Sequence, residues 1–355
     1  MSMKKKYVDI LLIAVAVLLN ACSSDDSGAQ TDSMDHASTG KTVQLVSYIS
    51  LLVEKELSHR AAPTGFSPYT PDKTTTMGIY MLLQSDWDFP EEKRITYNTG
   101  TGKWNASFEV EAGKTYSVYG YMPKAGGVNS SLTVTSEGDT LLSITGIKPV
   151  TTDDICIITG VKETDEGLKE GLLSWKWPIS SEDENYKIHI LMDHLYAAAQ
   201  FRLKIDAEYA ALRTIKLKTM TLSTNKGSVD ATVTLTHNTT GASPVSSATY
   251  TASGSSDAIV IFNNDEGIAL DKTTPLDINA CFAPTLSNNL TLVSTYDVYD
   301  RKGNLIRQNS TATNKLPNLE AIRGQRIQLN MTVNPTYLYV LSDPDLDNPT
   351  ITIEN

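Results

Sequence analysis

The stretch "GKWNASFEVEAGKTYSVYGYMP", residues 102–123, decides the fold. In its first half Trp104, Ala106, Phe108 and Val110 alternate with polar residues. A period of two sends those four side chains to one face of an extended strand. Gly113 marks a turn, and a second run carries Tyr116, Tyr119 and Tyr121 up to Pro123. Aromatic and β-branched residues suit a pleated, half-buried surface. The pattern extends in both directions. "TMGIYMLLQ" (76–84), "ICIITG" (155–160), "LLSWKWP" (172–178) and "YKIHILM" (186–192) read as strands. So do "AAQFRLKI" (198–205), "TIKLKTMTLST" (214–224), "DATVTLTH" (230–237), "DAIVIF" (257–262), "LDINACFAP" (276–284), "NLTLVSTYDVYD" (289–300) and "GQRIQLNMTV" (324–333). Gly, Pro, Asn and Asp clusters separate them at intervals of about ten residues, which favours sandwiches or barrels.

Two segments test this all-β reading. The three alanines of "HLYAAAQF" (194–201) favour helix by propensity, yet the segment is assigned to a strand. "DAEYAAL" (206–212) is expected to form a short helix. No helical segment is long enough for βαβ units, which disfavours parallel α/β enzymes. "DRKGNLIR" (300–307) is expected to be a hairpin around Gly303.

With 355 residues, 40% of them hydrophobic, the chain can bury two sizeable cores. Its net charge is −11. Removal of residues 1–21, with three lysines and Asp9, would make it more acidic still. Nucleic acid and anionic lipid headgroups both require basic patches, so neither is an expected partner.

The N-terminus has Lys4, Lys5 and Lys6, then an apolar run from Ile10 to Leu19, then "LLNACSS" (18–24). The run is too short to span a bilayer and suits a signal-peptide core. The segment ending at Cys22 resembles the lipobox of bacterial lipoproteins, which implies residues 1–21 as signal peptide and Cys22 as the acylated residue. Residues 23–40 are polar, small and acidic and read as a tether. Val43, Leu45, Ile49, Leu51 and Val53 then share one face of a long strand, interrupted only by Ser47. That strand runs toward a lone Arg60 in "EKELSHRAAPTG" (54–65).

Cys156 and Cys281 lie in apolar runs and read as buried small hydrophobes, with one bridge between them as the less favoured alternative. Catalytic signatures such as G-x-S-x-G, H-E-x-x-H, a Walker loop or C-x-x-C are absent from the sequence, so no enzyme and no cofactor are expected. His189 and His194 with Asp193, in "IHILMDH", invite a metal reading, but the two histidines, five residues apart on a strand, point to opposite faces and are expected to be structural, with no metal. "DPDLDNPTITIE" (343–354) spaces Asp343, Asp345, Asp347 and Glu354 like a calcium loop. Asn348 stands where that loop needs glycine, so the segment reads as an acidic linker between strands.

The lipobox at Cys22, the "SHRAAPTGF" segment, the "MGIYMLL…YNTGTGKWNASF…YSVYGYMP" series, the "IHILMDHLYAAAQFRL" junction and "GQRIQLNMTVNPTYLYV" resemble, in that order, the fimbrillin family of Bacteroidetes, the type V pilins and their Mfa-like relatives. The resemblance implies two tandem transthyretin-like β-sandwich domains, placed at 61–192 and 193–355 after an acidic tether and leader at 22–60. It implies an outer-membrane lipoprotein precursor that a trypsin-like surface protease cuts between Arg60 and Ala61. The freed groove would take a strand from another pilin subunit, giving a fimbrium that supports adhesion and colonisation. The donor candidate is the tail at 337–355, with Tyr337, Tyr339, Leu341, Ile351 and Ile353 as its apolar side chains, and Pro335 expected to break the ladder before it. The competing reading is a monomeric surface lipoprotein that binds glycan on a sandwich face, through Trp87, Trp104, Trp175 or Trp177.

Overall fold

The computed structural model describes residues 43–54, 66–83, 91–105, 110, 113–135, 140–162, 176–178, 186–224, 228–235, 246–253, 258–284, 290–316, 322–336 and 345–354. Among these the chain is all-β apart from one short helix. The alternating runs become strands because each has one apolar face to bury, and four sheets provide two cores to bury them in.

The first core lies between a nine-stranded and a four-stranded sheet. The larger sheet runs in the order Phe66–Pro68, Val43–Ser50, Tyr186–His194, Cys156–Lys162, Thr115–Met122, Thr75–Leu83, Lys93–Asn98, Lys103–Asn105. Lys176–Pro178 also pairs with Thr115–Met122. The smaller sheet is Ser246–Ser253, Ser228–Leu235, Thr140–Ile147, Asn129–Val134. Met77, Ile79, Val118, Tyr119, Ile144 and Ile188 are fully buried between them. The hairpin 228–253 comes from the second half of the chain, yet Val229, Ala231 and Val233 belong to this first core.

The second core lies between a six-stranded sheet and another of four strands. The six-stranded sheet runs Val150–Thr151, Leu276–Phe282, Ala197–Ile205, Gln325–Thr336, Val53–Glu54. Asp345–Glu354 pairs with the same outer edge of Gln325–Thr336 as Val53–Glu54 does. The other sheet is Ile259–Ala269, Thr214–Ser223, Leu290–Tyr299, Leu305–Leu316. Residue 192, the proposed domain boundary, falls near the end of Tyr186–His194, the last long strand before the second core's Ala197–Ile205.

The alanine-rich segment is strand, Ala197–Ile205, because alternate residues Ala197, Ala199, Phe201 and Leu203 face a core. Burial of that face overrides the weak helix preference of alanine. The short helix forms at Ala207–Ala210, with the Asp206 carboxylate accepting from the backbone N–H of Glu208 and Tyr209. Gly303 has φ +83° in the hairpin joining Leu290–Tyr299 to Leu305–Leu316.

Two expectations are corrected. Pro335 does not end its strand, which continues to Thr336. It faces Pro349 across the ladder, followed by a bulge. Neither proline has an N–H, so their pairing leaves no donor stranded. The acidic linker reading also fails for residues 345–349, because Asp345–Glu354 is one continuous strand.

Gly120 marks the tightest approach in the first sheet. A Cβ there would lie 2.4 Å from the Gly78 carbonyl oxygen and 3.0 Å from Ile158 Cδ1. Gly120→Ala is expected to destabilise the fold by roughly 1–3 kcal/mol through overpacking. Denaturant unfolding followed by tyrosine fluorescence measures it; an unchanged midpoint would show that the two strands separate freely.

Candidate functional site

The strand Val43–Ser50 lies inside the first sheet, not at its rim. It pairs in parallel with Tyr186–His194 over seven residues, from Val43↔Tyr186 to Ile49↔Met192. On its other side it pairs antiparallel with Phe66–Pro68. Leu45, Ser47 and Tyr48 are buried, and Ile49 and Leu52 pack against the first core. The long strand expected at 43–53 is therefore two pieces. The chain leaves the first sheet after Ser50, turns Leu51 out to solvent at 42% exposure, and joins the second core's sheet at Val53–Glu54. Residues 43–54 thus strap the two cores together.

Ser47, the polar break in the apolar series, has a structural reason. Trp104 Nε1 donates to Ser47 Oγ at 3.2 Å, and Ser47 Oγ donates to the Tyr69 carbonyl at 3.0 Å. A hydroxyl is needed here because both neighbours are buried polar groups that an aliphatic side chain would leave unpaired. Trp104 itself is 8% exposed and meets Tyr97 edge-on at 5.4 Å. That places Trp104 in the core rather than on a sugar-binding face. Trp87, Trp175 and the side chain of Trp177 lie outside the described residues.

A polar clasp holds the end of the strap. Tyr48 stacks on His189 with ring centroids 5.7 Å apart, and its hydroxyl meets His189 Nδ1 at 3.3 Å. Ser50 Oγ donates to Asp193 Oδ1 at 2.6 Å, and Arg323 Nη2 binds the other carboxylate oxygen at 2.8 Å. His194 Nε2 contacts the Ser50 carbonyl at 2.9 Å, and its Nδ1 lies 2.6 Å from Asp154 Oδ2. Burial alone would lower the His194 pKa. The Asp154 carboxylate, the Ser50 carbonyl and Asp193 outweigh it and hold the pKa above the ordinary histidine value. As expected from the strand period, the two histidines have separate partners and do not converge.

Cys156 Sγ is 3.9 Å from His194 Nδ1. Asp154, Cys156 and His194 invite comparison with a nucleophile, base and orienting acid. The geometry does not provide that relay, because thiol and carboxylate both address the same ring nitrogen while Nε2 is held by the Ser50 backbone. Burial pushes the Cys156 thiol well up, with Asp154 and Asp193 adding to the effect. Cys281 is likewise a free, buried thiol.

Of the other sequence-derived candidates, Cys22, Arg60, Ala61, Tyr337, Tyr339 and Leu341 lie outside the described residues. Ile351 is buried in the second core and Ile353 packs against it. Asp347 is bound by Arg213 at 3.1 Å, and Asn348 Oδ1 lies 3.4 Å from Ser310 Oγ. Both sit along a strand rather than around a calcium loop. Asp193 stands beside the two histidines in "IHILMDH"; the sequence missed Ser50 and Asp154, because strand pairing brings them to the clasp and nothing in their local spacing signals it. Among the described residues no helix is long and apolar enough to cross a membrane.

No protein-family model matches the sequence. No curated protein matches it. Solved structures do align. A Bacteroides fragilis protein, provisionally named a cell adhesion protein, is 10% identical, with 89% of this chain and 97% of that one covered and a TM-score of 0.47. A Bacteroides uniformis protein with the same provisional name is 14% identical, with 88% and 98% covered and a TM-score of 0.37. A fimbrial protein of Bacteroides ovatus is 10% identical, with 82% and 48% covered and a TM-score of 0.32. These are distant likenesses of fold alone.

Proposed function

We propose that the chain is a structural subunit of surface fimbriae, made as an outer-membrane lipoprotein anchored through Cys22 and activated by removal of its leader. The observation that carries this reading is the position of Val43–Ser50. A strand upstream of an arginine cleavage point occupies the interior of a sheet, with backbone partners on both sides. A cut between Arg60 and Ala61 by a trypsin-like surface protease would leave that strand attached by non-covalent contacts only. Its departure would expose two rows of unpaired backbone groups and the apolar pocket of Leu45 and Tyr48. A strand from another pilin subunit satisfies both needs at once by β-strand addition.

The proposed donor is the tail at 337–355. Its last strand, Asp345–Glu354, sits at the outer edge of its own sheet and, among the described residues, pairs there with Gln325–Thr336. An edge strand leaves by breaking one ladder rather than two. Loss of the leader also removes Val53–Glu54 from that same edge. The protein then supports adhesion as part of a fibre and carries out no catalysis.

Trypsin treatment of the full chain is the test, read as ladders on a denaturing gel run without boiling. Arg60→Ala is expected to keep the fold and lose the ladders. Normal fibres from Arg60→Ala would show that cleavage at this arginine is not the switch. A stable monomer that binds polysaccharide after cleavage would favour the glycan-binding alternative.

A further inference from the structure

Cys156 and His194 face each other across the antiparallel pair Cys156–Lys162 and Tyr186–His194. Asp154 stands just ahead of the first of these strands. The Asp154 carboxylate, Cys156 Sγ and a ring nitrogen of His194 all lie within 4.8 Å of one another. Such convergence on one point is unsuited to proton relay, which needs the two partners on opposite ring nitrogens. It is the arrangement of ligands around a cation. Sulfur, imidazole and carboxylate together form the donor set of a borderline-soft divalent ion, and three protein ligands with water complete a tetrahedral site.

A second observation points the same way. His194 Nε2 is held by the Ser50 carbonyl at 2.9 Å. A metal-bound histidine characteristically donates its other N–H to a backbone carbonyl or carboxylate, which fixes the ring and its tautomer. Here that contact turns Nδ1 toward both Asp154 and Cys156. The site also has a way in. Cys156 is completely buried and the His194 side chain is 4% exposed, but the Asp154 side chain is 34% exposed and opens the cluster to solvent.

We propose that Asp154, Cys156 and His194 form a zinc-type divalent metal site at the base of the strap, next to Ser50. On binding, His194 Nδ1 turns its lone pair to the ion and Cys156 ligates as the thiolate, giving up its thiol proton. The thiol proton leaves to solvent, and nothing is oxidised or reduced.

Cobalt(II) and zinc(II) are the probes, added to the full-length chain under reducing conditions. One cobalt per chain is expected, with a thiolate-to-cobalt charge-transfer band in the near ultraviolet that stoichiometric zinc abolishes. Cys156→Ala should lose that band. Asp154→Asn changes a partly exposed residue and is expected to fold; it should weaken zinc by at least about tenfold. Should Cys156→Ala fail to fold, the wild-type spectrum and Asp154→Asn decide the matter. The proposal is overturned if the folded wild-type chain shows no charge-transfer band. It is equally overturned if Asp154→Asn, or a folded Cys156→Ala, binds zinc as the wild type does.

Discussion

A chain beginning at Ala61 is expected to lose its stable monomeric state. The missing segment removes a strand from inside the first sheet, and with it the buried side chains Leu45 and Tyr48 and the half-buried Ile49 and Leu52. Each fully buried large apolar side chain contributes roughly 1.5–3 kcal/mol. The stranded partners add to the loss, since Trp104 Nε1, the Asp193 carboxylate and His194 Nε2 all lose acceptors or donors on the strap. The total is on the order of 5–10 kcal/mol, comparable with the whole stability of a typical fold. The shortened chain should bind a hydrophobic dye, melt early and self-associate. A synthetic peptide of residues 42–54, added in trans, should restore the melting temperature. A melting temperature equal to that of the full chain without peptide would sink the idea that this strand completes the first core.

Truncation after Ser342 is the second large effect. It deletes Asp345–Glu354, which buries Ile351 and seats Leu346 and Ile353 against the second core. It also deletes the acceptors of the Tyr209 hydroxyl (Leu346 carbonyl, 2.7 Å) and of Asn314 Nδ2 (Ile351 carbonyl, 3.0 Å), together with the Arg213–Asp347 ion pair. The ion pair is partly exposed and contributes little. One buried isoleucine, two half-buried apolar residues and one ladder edge amount to roughly 3–5 kcal/mol. At about 1.4 °C per kcal/mol for 355 residues melting as one unit, melting should fall by roughly 4–7 °C. The truncated protein should remain folded at low temperature and give no ladders after trypsin. Ladders equal to those of the full chain would exclude residues 343–355 as donor. An unchanged melting temperature would show that the strand does not close its own sandwich.

The period-two signal made most strands legible, because alternation reports directly on which face is buried. Val229, Ala231 and Val233, or Leu217 and Leu222, could be assigned to strands one by one. Their destinations could not. Nothing in "DATVTLTH" (230–237) says that its apolar face belongs to the first core rather than the second. The clasp was illegible for the same reason. Asp154 and His194 are 40 residues apart and meet only because strand register sets Cys156 opposite His194. The family resemblance placed a strand in the first sandwich, but its parallel partner and its continuation into the second sheet came only from the fold. Pro335 misled because a lone proline does break a ladder, and the facing Pro349 could not be foreseen.

The hairpin 228–253 has a consequence for the order of events during biogenesis. The first core is unfinished until residues beyond 250 have been made, since the hairpin supplies half of one of its sheets. The strap itself pairs with a strand some 143 positions later. A chain still being synthesised therefore cannot complete its N-terminal half early and hold it while the rest follows. Such distant pairings make for slow folding and prolonged exposure of strand edges. With the first core drawing strands from 43 to 253 and the second from 53 to 354, the two share their folding, and they should melt as a single cooperative transition with no stable half-folded species between.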